Sequence, residues 1–139
     1  MVYNGTWTVH TLHPFGDGPT GVDEKLESHC THGTAFVACE QVLNGKSAEL
    51  IVYVPGEHPG EFYTKTVMPS GLSTDRALMT ISGNRWTYTA KVVVAGKTTT
   101  YRTENYFEGK DNIRFEEWES TDGTTWTKTN EGHETRVKG

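Results

Sequence analysis

The segments RWTYTAKVVV (85–94) and TTTYRTENYF (98–107) decide the fold. In the first, every second residue shares one face: Trp86, Tyr88, Ala90, Val92 and Val94. In the second, one face carries Tyr101, Thr103, Asn105 and Phe107. A period of two with β-branched and aromatic residues is typical of antiparallel strands. Because no helical stripe longer than one turn occurs along the chain, we predict an all-β protein.

Short turn signals divide the chain at nearly regular spacing. Asn44-Gly45 is the strongest of them, because both central residues of a tight hairpin turn need a positive φ angle. About ten segments of roughly 8–12 residues lie between the turns, as in a sheet built from hairpins. The turn segments are 13–21, 31–34, 43–46, 54–61, 69–71, 82–84, 95–97, 108–112 and 121–123.

A sheet of about ten strands has exposed edges unless it closes on itself. Uniform hairpin spacing without a long crossover favours next-neighbour order, so we predict an antiparallel up-and-down β-barrel of about ten strands. A β-sandwich is the alternative that fits the same strand count. A barrel of this width is not filled by its own side chains, so an internal cavity is expected. Residues 1–139 are expected to form one such domain.

The composition argues against several classes of partner. The formal net charge is -5 and the pI is about 5.6, whereas phosphate binding needs clustered Lys and Arg. No segment approaches the roughly 20 apolar residues of a membrane span, and the first residues lack the layout of a signal peptide. We therefore expect a cytoplasmic protein with no nucleic-acid or membrane partner. No phosphate loop, dinucleotide fingerprint or nucleophile elbow occurs, so no cofactor is expected. The oligomeric state stays open.

Gly5-x-Trp7 in the first predicted strand and Arg136 in the last form a recognisable pair. The pair resembles the calycin superfamily of lipocalins and fatty-acid-binding proteins. The resemblance implies that Trp7 closes one end of a barrel and that Arg136 packs across its ring, a contact worth roughly 1–2 kcal/mol when desolvated. The helix–turn–helix of fatty-acid-binding proteins is missing, so the chain resembles the small bacterial lipocalin-like domains.

The segment ESHCTHGTAFVACE (27–40) holds two histidines and two cysteines: His29, Cys30, His32 and Cys39. Zinc sites usually combine paired arms of the C-x2-C and H-x3–5-H kind, which this spacing does not supply. A hairpin centred near His32-Gly33 would pair Cys39 with residues 25 or 26 and not with Cys30. We therefore expect neither a metal site nor a disulfide here.

The segment IRFEEWES (113–120) predicts a carboxylate inside the barrel. If Phe115 faces inward, Glu117 does as well, and if Trp118 faces inward, Glu116 does. A carboxylate in an apolar cavity has a raised pKa, which suits a general acid or base. The alternative is that the inward Glu lies at a wet barrel mouth or pairs with an Arg. Glu117 is the first candidate catalytic residue.

His133 is the second candidate catalytic residue. It lies on the strand face opposite Glu134 and Arg136, so His133 and Arg136 face the interior together only if a bulge intervenes. Gly132, directly before His133, is the residue that would permit such a bulge. The alternative is an ordinary surface histidine.

Seven aromatic residues are the candidate ligand-binding lining of the cavity. Apolar pockets with a few polar groups bind small molecules, although ordinary core packing accounts for part of the same set. The seven are Phe36, Tyr53, Tyr63, Trp86, Tyr88, Tyr101 and Phe115.

Three functions are compatible with these features. The leading hypothesis is the binding of a small, largely apolar or aromatic molecule in the cavity, oriented by Glu117 and Tyr101. The alternative is a cofactor-free acid–base enzyme, such as a lyase, isomerase or cyclase, that uses Glu117 or His133. A third possibility is a partner-binding module with an apolar outer patch at Val93 or Tyr106. The sequence leaves open whether the protein is an enzyme.

Overall fold

A computed structural model describes residues 4–12 and 22–137 of the chain. These residues form ten β-strands, and no helix occurs among them. The strands are β1 (Gly5–Leu12), β2 (Val22–His32), β3 (Val37–Leu43), β4 (Lys46–Pro55), β5 (Glu61–Val67), β6 (Ala77–Ser82), β7 (Arg85–Val94), β8 (Lys97–Phe107), β9 (Asn112–Ser120) and β10 (Thr127–Arg136).

The sheet closes into a ring. Each strand pairs antiparallel with its neighbour in the chain, and β1 also pairs with β10. The predicted all-β, ten-stranded, up-and-down barrel is therefore confirmed. The predicted turn at Asn44-Gly45 joins β3 to β4, with φ angles of 50° and 81° at the two residues. The predicted turn segment 13–21 lies outside the described residues.

The side chains that point into the ring form two hydrophobic clusters. Alternation along each strand sends every second side chain inward. The first cluster lies where β1, β2 and β9 face each other, and consists of Trp7, Val9, Leu26, Ile113 and Phe115. The second lies on the other side of the barrel and contains Cys39, Tyr53 and Met79. The core is thus divided between two sides of the interior.

Trp7 is completely buried beneath a cation. The β1–β10 register places Arg136 directly opposite Trp7, and the guanidinium carbon lies 4.3 Å from the indole centroid. Nη1 of Arg136 donates a hydrogen bond of 2.7 Å to the Asn4 carbonyl. Nε of Arg136 lies 3.3 Å from a carboxylate oxygen of Asp111. The predicted packing of Arg136 across Trp7 is therefore confirmed.

Gly5 is required by the position of Arg136. Its φ angle is 131°, a conformation that other L-residues rarely adopt. A Cβ atom at this position would lie 2.5 Å from Nη1 of Arg136. The glycine of the Gly5-x-Trp7 pattern therefore leaves the space through which the guanidinium passes.

Cys30 and Cys39 form a disulfide across the β2–β3 hairpin, which corrects the expectation that neither would be bridged. The turn occupies residues 33–36, so Cys30 is the register partner of Cys39. The sequence prediction centred the turn at His32-Gly33, which shifted the expected partners of Cys39. Disulfides persist mainly in oxidising compartments, and the cytoplasmic location stays a prediction.

Two kinds of feature do not occur among residues 4–12 and 22–137. No group of three or more His, Cys, Asp or Glu side chains in these ranges is arranged to hold a metal ion. No helix in them is long and apolar enough to cross a membrane.

We expect Gly5→Ala to lower the free energy of unfolding by about 2–3 kcal/mol, because the methyl group meets both a strained φ angle and the Arg136 guanidinium. Gly96→Ala is the matched control. Gly96 also has a positive φ, 77°, but its Cβ would enter open space. Its substitution should cost about 1 kcal/mol. Urea unfolding measures both changes, and equal losses would contradict the role assigned to Gly5.

Candidate functional site

A cavity of about 440 Å³ opens at the end of the barrel where β2 turns into β3. The β2–β3 turn forms its rim, and inward side chains of β4 to β7 form its wall. Most of its surface is apolar, as is typical of small-molecule sites. It is lined by His32, Gly33, Thr34, Ala35, Phe36, Val37, Tyr53, Pro55, Phe62, Met79, Ile81 and Trp86.

Two tyrosines meet at this cavity: the buried Tyr53 lines it, and the half-buried Tyr88 lies next to Tyr53. The ring centroids of Tyr53 and Tyr88 are 6.5 Å apart. The Tyr88 hydroxyl shares a hydrogen bond with the Tyr53 hydroxyl and another with the Asn105 side chain. Burial raises the pKa of Tyr53 to about 12, against the effect of the hydrogen bond with Tyr88. Burial also raises the pKa of Tyr88 well above its usual range, so both hydroxyls stay protonated at neutral pH.

Glu49 faces the interior beside these tyrosines. It lies on the same face of β4 as Tyr53, and its charge contributes to the raised pKa of Tyr53. Burial raises the pKa of Glu49 itself, and the negative charge of Glu117 raises it further. Within residues 4–12 and 22–137 no hydrogen bond or ion pair engages the Glu49 carboxylate.

Glu117 also faces the interior, which decides between the two registers that the sequence left open. Ile113 and Phe115 on the same face of β9 are buried. Glu116 lies on the outer face, where its carboxylate oxygens are 2.7 Å from Nη1 of Arg114 and 3.2 Å from Nζ of Lys128. Glu117 is therefore the carboxylate of this segment that the fold directs inward.

The interior is hollow between the two hydrophobic clusters. In a filled core, side chains that point to the barrel axis would lose nearly all of their exposure. Several such side chains are only half-buried here. They are Glu49, Ile51, Tyr88, Thr103, Asn105 and Glu117.

Three of the seven predicted lining residues are at the cavity, and a fourth is beside it. Phe36 forms part of the rim, and Tyr53 and Trp86 form part of the wall. Tyr88 lies next to both wall residues, with ring centroids 6.5 Å from those of Tyr53 and Trp86.

The other three predicted lining residues lie elsewhere. Phe115 packs in the cluster around Trp7. Tyr101 has an inward register position near the opposite end of the barrel, where it is 43% exposed. Tyr63 is on the outer face, where the guanidinium carbon of Arg76 lies 4.1 Å from its ring centroid. The placement of Tyr63 in the cavity lining is therefore corrected.

His133 lies on the outer wall and is not brought together with Glu117. The inward position of β10 is taken by Gly132, so no bulge turns His133 into the barrel. The His133 ring stacks on His10, with 5.1 Å between centroids, and Nδ1 of His10 is 2.5 Å from Asp23. The expectation that His133 acts within the barrel cavity is therefore corrected, because His133 faces outward.

Phe62 and Met79 line the cavity and Glu49 faces the interior, although none of the three was among the residues predicted from the sequence. Glu49 lies four residues before Tyr53 in the segment KSAELIVYVP (46–55), on the same strand face. The same period-two argument that predicted an inward carboxylate on β9 would also have predicted that Glu49 faces inward. No sequence signal distinguishes the apolar residues Phe62 and Met79 from ordinary core residues.

We expect Glu49→Gln to stabilise the protein at pH 8. Because the folded state raises the pKa of Glu49, it binds the proton more tightly than the unfolded state does. The ionised carboxylate therefore destabilises the fold once the pH exceeds the raised pKa of the folded state. Below the pKa of Glu49 in the unfolded state, the carboxyl is protonated in both states and this effect vanishes. Glu40→Gln, an exposed position on β3, is the control. A higher Tm for Glu49→Gln at pH 8, shrinking towards pH 4, is expected. A Tm at pH 8 no higher than that of the control variant would contradict it.

Comparison with known proteins gives a likeness of fold. No protein-family model and no curated protein matches the chain. The structure of Rv2717c from M. tuberculosis matches with a TM-score of 0.63 at 14% identity, covering 99% of this chain and 94% of that chain. The S-type phycobiliprotein lyase CPES from Guillardia theta matches with a TM-score of 0.52 at 12% identity, covering 99% and 90%. The closed antiparallel barrel is therefore similar in fold to these two structures.

Proposed function

We propose that the barrel binds a small, largely apolar or aromatic molecule in the cavity rimmed by the β2–β3 turn. The observation that carries this proposal is the apolar cavity of about 440 Å³ walled by Tyr53 and Trp86 and rimmed by Phe36. An open apolar concavity of this size is the usual setting of a small-molecule site. The likeness of fold to a phycobiliprotein lyase supports a role of the barrel interior in small-molecule binding.

The aromatic wall supplies affinity and the two tyrosines supply orientation. Aromatic side chains contribute large contact areas, and their faces and edges favour planar ligands. Tyr53 lines the cavity and its hydroxyl is bonded to Tyr88, so it can offer a fixed polar contact to the ligand. Tyr101, an orienting residue proposed from the sequence, lies near the other end of the barrel, and Tyr53 replaces it in this role.

We expect the neutral probe N-phenyl-1-naphthylamine to bind with increased fluorescence and to raise the Tm. Phe36→Ala and Trp86→Leu should each weaken binding by about tenfold, because lost aromatic contact area costs ~1–2 kcal/mol. Phe36 is 47% exposed, so its truncation should leave the fold intact.

Trp118→Leu is the matched control, because Trp118 lies on the outer face of β9 opposite Lys128 and Arg102. This variant should bind the probe as the unmodified protein does. If the probe neither gains fluorescence nor raises the Tm, or if Trp118→Leu weakens binding as much as Trp86→Leu, the proposed site is wrong.

A second candidate function is cofactor-free acid–base catalysis at Glu117. The observation that favours it is that Glu49 and Glu117 both face the barrel interior, where the charge of Glu117 raises the pKa of Glu49. Two carboxylates that share a site favour a state in which one holds a proton and the other is a base. A base beside an apolar cavity is suited to removing a proton from a bound carbon acid.

The ring opening of 5-nitrobenzisoxazole tests this second function. Glu117 would take the C–H proton, the C–H electrons would form a nitrile, and the N–O bond would break to release a phenolate. Glu117→Gln should lower any rate above background by about 100-fold or more. His133→Ala, on the outer wall, should leave the rate unchanged. A rate indifferent to Glu117→Gln would remove Glu117 from this role.

A further inference from the structure

We propose that the ligand of this cavity is an organic cation, with an apolar or aromatic body against Tyr53 and Trp86 and an ammonium group directed to Glu49. The inference rests on the proposed function and narrows its ligand class. It combines the aromatic-walled cavity with the carboxylate of Glu49, which lies further along β4 on the same inward face as Tyr53.

The Glu49 carboxylate carries a charge that no described basic group engages. It faces the barrel interior in the same register layer as the buried Gln41, and within the described ranges it has no hydrogen-bond or ion-pair partner. The charged group that acts on it most strongly is another acid, Glu117. Charges that are partly removed from water are normally paired, and the half-buried carboxylate of Glu49 lacks such a counter-charge.

The basic side chains of the surrounding strands do not supply a positive charge to Glu49. Lys65 and Lys91 are exposed on β5 and β7. The guanidinium carbon of Arg102 lies 4.5 Å from the ring centroid of Trp126, and Arg114 pairs with Glu116, both on the outer wall. Arg136 does face inward, but it is held over Trp7. The balance of charge around Glu49 is therefore negative.

An aromatic surface begins at Tyr53, on the same strand face as Glu49. Tyr53 lines the cavity and senses the charge of Glu49, which contributes to the raised pKa of its hydroxyl. The rings of Tyr88 and Trp86 continue the aromatic surface. Ring faces attract cations, and a carboxylate adds a direct ion pair, so the two features favour the same ligand charge. An anionic ligand of equal shape would be repelled.

The competing way to relieve the repulsion between Glu49 and Glu117 is a bound proton. The titratable groups that face Glu49 are Glu117 from β9 and Tyr53 from β4, with Tyr88 from β7 and Glu134 from β10 beyond them. All of them are neutral or negative in every protonation state. Cation binding should therefore tighten as the pH rises through the raised pKa of Glu49, and should displace a proton at lower pH.

Three naphthalene derivatives of similar size test the inference: 1-naphthylmethylamine, 1-naphthalenemethanol and 1-naphthoic acid. At pH 8 and low ionic strength, titration calorimetry should show the amine binding at least about tenfold more tightly than the alcohol, with the acid weakest. The preference for the amine should shrink at pH 5.

Glu49→Gln should remove most of the preference for the amine and leave the affinity for the alcohol nearly unchanged. Glu40→Gln, which removes an exposed charge from the neighbouring strand, should keep the full preference. If Glu49→Gln does not fold, Glu117→Gln gives the same readout, because it removes half of the paired negative charge.

The outcomes separate this inference from the proposed function. Binding of the alcohol as tight as that of the amine, or a preference that survives both interior substitutions, would overturn the cation-specific inference and leave small-molecule binding intact. If none of the three compounds binds, the proposed function fails with it. A preference lost equally in Glu40→Gln would assign the effect to the overall charge and overturn the role of Glu49.

Discussion

The closure of β1 onto β10 is the constraint on which the rest of the structure depends. Only a closed ring gives every described strand two partners and gives the sheet an inside. Trp7 and Arg136 are opposite residues in that closing pair, so the cation–π contact joins the two ends of the barrel. Gly5 makes the contact possible, because a side chain there would collide with the guanidinium. A local pattern of three residues thus reports on a contact that spans nearly the whole chain.

Closure also determines the chemistry of the interior. Once inside and outside are defined, alternation along each strand fixes which charges face the cavity. The outer wall pairs its acids with bases, as in the contacts of Glu116 with Arg114 and Lys128. The interior instead brings Glu49 near Glu117, without a base engaging Glu49 among the described residues. The cavity thus has an aromatic wall, and the interior beyond it carries negative charge. The proposed ligand class, an organic cation with an aromatic body, follows from these two features.

Much of the fold was predictable from the sequence because its signals are local. Alternation in 85–107 and the Asn44-Gly45 turn depend on neighbouring residues, and the structure confirms both. The disulfide was missed because the partner of Cys39 depends on the centre of the β2–β3 turn, and an error there shifts every pair in the hairpin. The cavity lining was predictable only in part. Residue type alone was enough to expect Tyr53 and Trp86 at the cavity, whereas Tyr63 needed the register of β5 to place it outside. The strand alternation that predicted an inward Glu117 applies equally to Glu49, but Glu49 lies in no recognisable motif.

The most direct measurement of the central claim is a crystal structure of the protein soaked with an aromatic amine. The account predicts electron density for the ring between Phe36, Tyr53 and Trp86, with the amine nitrogen oriented to Glu49. An interior filled by the protein's own side chains, or a ligand bound only on the outer wall, would contradict the claim that this barrel binds a small molecule in its interior.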